Sequence, residues 1–292
     1  MWENKNLLKA ALGRIEITHK VQILHVVELG SRAWGLDNED SDTDVGFIYV
    51  RAPQEYFKIN QGHRDSSLQE NRDTIETQVA GFGDLCGYDV SKACGMAYLS
   101  NPTLCDWLRL PSMYEDECVE ELRRLMFKGY STLKLRQLNI ATAKRNFKTY
   151  VVDKTHVPVK KYLEIVRPLL NAIWYERTSE FSLSKEFPPY KYMELCNVAA
   201  YDHDFLDACI TLYQQKKAGR VMIERLPRLD RIIELNLEKP IPKGLVREAP
   251  SIEEFDATFA KIVMAGMGPT HCPWTVEPPW HDWSDKSRRS LT

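Results

Sequence analysis

No Cys-x-x-Cys pair occurs in this chain, although it carries seven cysteines, at positions 86, 94, 105, 118, 196, 209 and 272. That odd, scattered set argues against a structural zinc site and a thioredoxin-type redox pair. The cysteines read instead as small, reduced, apolar core residues. A Walker A loop, a Gly-x-Ser-x-Gly elbow and a Gly-x-Gly-x-x-Gly fingerprint are all missing, and no internal repeat stands out. No apolar run approaches the roughly eighteen residues of a membrane helix. The best candidate, Val21–Leu29, is interrupted by Gln22, His25 and Glu28. The opening Met1-Trp2-Glu3-Asn4-Lys5 lacks the charged-then-apolar layout of a signal peptide, so a cytoplasmic location with no membrane partner is expected. What remains is ordinary globular material: 292 residues, 43% hydrophobic and 27% charged, a length that suggests two domains.

The net charge of −2 conceals an asymmetry. Residues 1–120 hold 20 acids against 11 Lys and Arg, whereas residues 121–161 hold 11 bases against two acids, Glu121 and Asp153. An acidic front half thus precedes a basic segment. If the two face one another across a cleft, acids suit metal ions and bases suit phosphates.

Periodicity predicts a first helix over Asn4–Ile17 and a buried strand over Val21–Leu29 that ends in Gly30-Ser31. A short helix is expected over Arg32–Leu36, a second strand over Asp42–Arg51 and a helical turn from Pro53. Gln61–Arg72 reads as an exposed loop, and a third strand falls within Thr74–Val90. Helices are expected over Ser91–Leu99 and Pro102–Leu108, and from Glu115 onward the pattern is almost wholly helical. Pro168 falls inside one periodic stretch and should kink it. Ser251-Ile-Glu-Glu254 is a capping box. Gly266–Thr292, with Trp274, Trp280 and Trp283 among prolines, reads as an extended tail that docks its aromatics on the parent domain; His271, Cys272 and His281 show no metal-ligand spacing. The expected division is 1–112, 113–266 and the tail 267–292.

The informative stretch runs from Leu29 to Val50. Gly30-Ser31 closes a strand and opens a helix, a geometry in which free backbone N–H groups and a hydroxyl can grip a phosphate. Eleven residues after Ser31 comes Asp42, then Asp44. On a strand, residues i and i+2 share a face, so both carboxylates project together and repel unless a cation sits between them. Mg²⁺, hard and at ease with substrate phosphates as further ligands, is the natural partner.

An apolar strand, Gly-Ser, a ten-residue spacer and Asp-x-Asp leading into a second strand resemble the nucleotidyltransferase superfamily of DNA polymerase β. Gly30-Ser-Arg-Ala-Trp-Gly35, Phe47-Ile-Tyr-Val50, Asp84-Leu-Cys-Gly-Tyr-Asp-Val-Ser-Lys92, Ser100-Asn-Pro-Thr-Leu-Cys-Asp-Trp-Leu108, Lys160-Lys-Tyr-Leu-Glu-Ile-Val-Arg-Pro-Leu-Leu170 and Leu226-Pro-Arg-Leu-Asp230 are similar to nucleotidyltransferases associated with RNA repair pathways. The resemblance spans residues 20–240 and implies an α+β protein, with a mixed-sheet catalytic domain followed by an all-α domain. It also implies transfer of a nucleoside monophosphate from an NTP, aided by two Mg²⁺ ions (or Mn²⁺).

A third carboxylate from a neighbouring strand is then expected, with Asp84 and Asp89 as contenders. Phe82–Cys86 reads better as strand, which favours Asp84; Asp89 precedes the helix opened by Ser91, a common capping position. Asp42, Asp44 and the third Asp would hold the metals, one offsetting charge on the departing pyrophosphate and the other activating the acceptor hydroxyl. Gly30 and Ser31 would hold the triphosphate, with Arg32, Arg145 and Lys160 as candidate anchors. The 11 bases among residues 121–161 exceed what one triphosphate contacts, so Lys128, Lys134 and Arg136 are candidates for phosphates of an RNA acceptor. RNA, as tRNA or a broken end, is the favoured acceptor. AMP transfer to a protein hydroxyl and a catalytically inactive nucleotide- or RNA-binding module are the alternatives.

Overall fold

In the computed structural model, which describes residues 5–58, 73–180, 187–245 and 250–265, helix α1 (Lys5–His19) leads into strand β1 (Val21–Leu29). A single turn, α2 (Gly30–Ala33), and a loop connect to β2 (Asp44–Arg51) and α3 (Pro53–Tyr56). Strands β3 (Thr74–Gln78) and β4 (Asp84–Asp89) form a hairpin where one strand was expected, because the chain turns at Gly81 with φ of +85°. Helices α4 (Val90–Tyr98) and α5 (Pro102–Arg109) follow, then a short edge strand, β5 (Ser112–Glu115), in a stretch to which the sequence assigned no element before Glu115. The sheet order is β3-β4-β2-β1-β5, with β2 and β4 parallel and every other pair antiparallel. The protein is therefore α+β with a five-stranded mixed sheet. The loop read into Gln61–Arg72 and the tail read into Gly266–Thr292 lie outside the described residues.

The sheet is buried on both faces, and the alternation of its strands shows how. Val45, Phe47 and Tyr49 of β2 pack with Leu8 and Leu12 of α1, while Ile48 and Val50 face the other way. In β1 the register shifts between Ile23 and His25, so Val21, Ile23 and Val26 share a face despite the odd spacing. The second face is covered by α4, α5 and α6 (Glu117–Lys128) and by the last helix.

The helical part begins with α7 (Thr132–Tyr150), β6 (His156–Pro158) and α8 (Val159–Glu180), the two long helices forming an antiparallel hairpin. Pro168 lies inside α8, which runs on to Glu180. Helices α9 (Tyr192–Ala199) and α10 (His203–Lys217), strand β7 (Met222–Glu224, paired with β6) and α11 (Pro227–Leu237) complete a separate core. The final helix, α12 (Ile252–Ala265), returns to pack on α4 and α6. Packing thus gathers α6 and α12 around the sheet, although both follow residue 112. Among the described residues no helix is long and apolar enough to cross a membrane.

The two parts are fastened together. Asp106 of α5 accepts from Arg109 at 2.8 Å and from Arg167 of α8 at 2.7 Å, and the Arg167 guanidinium lies 4.3 Å over the Trp34 ring. These cations hold the Asp106 carboxyl below its ordinary range against the opposing effect of burial. Tyr192 of α9 donates its backbone N–H to the Trp34 carbonyl at 2.9 Å. Leu36, in the β1–β2 connection, is a core residue of the helical part.

Candidate active site

β1 and β2 pair so that Leu29 stands opposite Asp44. That register brings Gly30 beside Asp44 and reduces the spacer of the motif to the connection between two antiparallel neighbours. Gly30 has a positive φ of 68°, and a Cβ there would lie 2.3 Å from Asp44 Oδ2. Only glycine meets both demands. Asp44 is the first residue of β2, while Asp42 lies in the loop that leads to it rather than on the strand itself.

The β3–β4 turn closes the other side. Gly83 donates its N–H to the Thr43 carbonyl at 3.1 Å, so it crosses directly over the Asp42–Asp44 segment. A Cβ on Gly83 would sit 2.3 Å from Asp44 Oδ1 and 2.9 Å from the Asp42 Cβ. The Asp44 carboxylate is therefore held between two glycines, one in each flanking turn. Because β4 runs parallel to β2 with Val45 opposite Leu85, Asp84 arrives next to Asp44 and donates its N–H to Asp44 Oδ1 at 3.2 Å. The exposed Asp84 carboxylate accepts from Gln78 Nε2 at 3.0 Å.

Asp89, the other contender, is buried at the far end of β4. It caps α4 through the Ser91 N–H at 2.8 Å, accepts from the Tyr56 hydroxyl and lies 3.7 Å from Arg51. Burial pushes its carboxyl up from the ordinary value.

Asp42, Asp44 and Asp84 line one cavity of about 780 Å³ together with Gly30, Ser31 and Lys160. Trp34, Leu36 and Leu163 form an apolar part of its wall. Among the described residues, no three His, Cys, Asp or Glu side chains converge closely enough to cage a cation unaided. Asp42 and Asp44 both lie beside Gly83 and line the cavity, and their carboxylate oxygens suit a hard cation completed by substrate phosphates and water.

The basic residues divide. Lys160, at the start of α8, lines the cavity, and so does Lys216 near the end of α10, which no sequence pattern distinguished from a solvated lysine. Arg32 does not line it: its guanidinium turns back to Glu28 at 2.7 Å. Arg145 is exposed on α7 and away from the cavity lining, because it falls on the face opposite the one α7 packs on α8. Arg167, two turns on from Lys160 in α8, is committed to Asp106 and does not line the cavity. The three bases expected to meet RNA are also engaged within the fold: Lys128 pairs with Glu254, Lys134 lies over the Tyr98 ring, and Arg136 is buried against Glu176 at 2.8 Å.

The uncharacterized protein YcgL of Bacillus subtilis (strain 168) is 31% identical over 232 residues, covering 78% of this chain and 83% of its own. A solved nucleotidyltransferase-like protein from Exiguobacterium sibiricum 255-15 matches 89% of this chain and 77% of its own at 11% identity. Its TM-score of 0.29 marks a superposition too loose to argue from. The model of the RNA repair pathway DNA polymerase beta family matches residues 5–261. The chain belongs to that family, and the membership points to a nucleotidyltransferase of the polymerase β type.

Proposed function

We propose that the protein transfers a nucleoside monophosphate from an NTP to a hydroxyl group on RNA. The observation that carries this reading is the Asp44 carboxylate wedged between Gly30 and Gly83, with Asp42 and Asp84 in the same cavity as Lys160 and Lys216. RNA as acceptor is supported by the family's description. Asp42 and Asp44, joined by Asp84, would hold Mg²⁺ or Mn²⁺. When bound, such ions neutralise phosphate charge and lower the pKa of the acceptor hydroxyl.

The chain's own groups do the rest. Ser31 and the two lysines anchor the triphosphate, and Trp34, Leu36 and Leu163 offer the nucleobase an apolar wall. The acceptor oxygen bonds to the α-phosphorus as the bond to the bridging oxygen breaks. Pyrophosphate leaves with that electron pair, and the hydroxyl proton passes to solvent by way of the exposed Asp84. Acceleration comes mainly from positioning and charge stabilisation.

The test supplies each of four α-labelled NTPs with Mg²⁺, separately with total RNA and with cell protein. Label should enter RNA, and Asp44→Asn should lose transfer by orders of magnitude with an unchanged melting curve. Transfer at the wild-type rate in that variant, or label entering protein alone, overturns the reading.

A further inference from the structure

The bases of the segment that follows residue 121 sort by position. Arg123 pairs with Glu115 and Glu120, Arg124 lies 3.7 Å from Glu120, and Lys161 pairs with Glu164 at 2.6 Å. With Lys128, Lys134 and Arg136 already engaged, five remain: Lys144, Arg145, Lys148, Lys154 and Lys160. All five are exposed, and none makes an ion pair among the described residues. They are consecutive among the bases of the chain.

Helix α7 has 19 residues, five bases and no acid. Lys144, Arg145 and Lys148 fall on the side opposite Ala143 and Phe147, which are buried. From residue 122 to 163 the one acid is Asp153. Other exposed helices of this protein answer their bases, as α6 does with Glu120 and α11 does with Glu234. The unanswered run also leads to the cavity. Tyr150, at the end of α7, carries the Lys161 ammonium 4.7 Å from its ring centre, and the preceding residue, Lys160, lines the cavity.

We infer that the outer face of α7 and the turn after it, carrying Lys144, Arg145, Lys148 and Lys154, binds the phosphodiester backbone of the acceptor nucleic acid. The inference rests on the transferase reading and names where its acceptor lies. A phosphate backbone fits this face better than a protein does. Protein interfaces are depleted in lysine and anchored by buried aromatics, whereas this face is lysine-rich and its large exposed apolar side chains are the aliphatic Leu138 and Val152, with no exposed large aromatic among its described residues. Phosphate contacts of this kind set register without reading sequence. Such a track suits an enzyme that must bring an RNA end to the carboxylates.

The test compares the full chain with the triple variant Lys144→Ala, Lys148→Ala, Lys154→Ala. Affinity for a single-stranded RNA longer than the α7 face is measured at several salt concentrations. Transfer to a dinucleotide acceptor, too short to reach α7, is measured alongside. The triple variant should bind RNA roughly tenfold more weakly at moderate salt, and its log–log salt slope should be shallower by about 2, near 0.7 per lost contact. Its rate on the dinucleotide and its half-saturating NTP concentration should match those of the parent. An unchanged slope overturns the surface while leaving the transferase reading intact, as does RNA affinity below that for a poly-glutamate peptide. A parent that binds RNA with the expected slope but transfers nothing leaves the surface standing and removes the transferase reading.

Discussion

Asp84 and Asp89 stand at opposite ends of β4, and the fold treats them in opposite ways. Asp89 is buried, and an N-terminal N–H, a tyrosine hydroxyl and an arginine answer it. Asp84 is exposed, its carboxylate answered by one glutamine amide, while its backbone N–H is given to the carboxylate of Asp44. A carboxylate whose acceptor sites are filled by its own chain holds structure. One left exposed on a cavity wall keeps its lone pairs for a ligand or a cation. The same contrast separates Arg136, locked to Glu176, from Lys160, which is left open to the cavity.

The sharpest way to break this comparison is to neutralise both ends. Asp84→Asn should lower turnover by at least about a hundredfold, on the scale of one lost electrostatic contact to the transition state, with the melting temperature unchanged. Asp89→Ala should keep near-normal turnover in molecules that fold but lose about 2 kcal/mol of stability from the missing cap and the lost Arg51 ion pair. Single-turnover kinetics and denaturant titration of the two variants check both halves, and an exchange of the two phenotypes would hand the catalytic role to Asp89.

A gentler test crowds the site without changing its charge. Gly83→Ala pushes a methyl group into the space occupied by the Asp44 carboxylate. Displacement of about 1 Å costs on the order of a hundredfold in well-aligned sites, so turnover should fall by about 10–100-fold. NTP affinity should change less, because Lys160 and Lys216 are untouched. Wild-type kinetics in Gly83→Ala would mean that Asp44 does not need its present position.

The smallest effect sharpens the contrast with a third acid. Glu16, on α1, is half-buried with the Ile23 N–H donating to it at 2.8 Å, and desolvation raises its carboxyl to about 7. A folded-state pKa above the ordinary value of 4.5 means that its contribution is fully present below about 4.5 and lost as pH rises through about 7. Glu16→Gln keeps an acceptor oxygen without the charge. Its melting temperature should exceed the parent's by about 2–4 °C at pH 8, with the gap closing toward pH 5.

Much of the sheet was legible because its strands are short, apolar and bounded by turn residues. Val21–Leu29 coincides with β1, and Gly30-Ser31 marks its end. The β3–β4 hairpin was less legible, since Gln78–Gly83 lacks the two-residue turn that usually announces one. Its consequence is large, because that turn delivers Gly83 and Asp84 to Asp44. The basic residues were the least legible. Periodicity shows which residues share a helix face but not which neighbour that face meets. Lys128, Lys134 and Arg136 therefore looked as available as Lys144 and Lys148, and Lys216 carried no local signal at all.

Leu36 lies between the Gly-Ser turn and the paired aspartates, yet it belongs to the core of the helical part. The loop that spans the Gly-Ser and Asp-x-Asp motif is thus a shared possession of both parts. Residues 20–112 cannot be lifted out as a transplantable cassette. A graft that left α8 and α9 behind would expose Leu36, uncover Trp34 and untether the segment that sets Asp42 in place. Conversely, a ligand that shifts α8 would tug on that same segment, so the helices and the carboxylates would respond to it as one device.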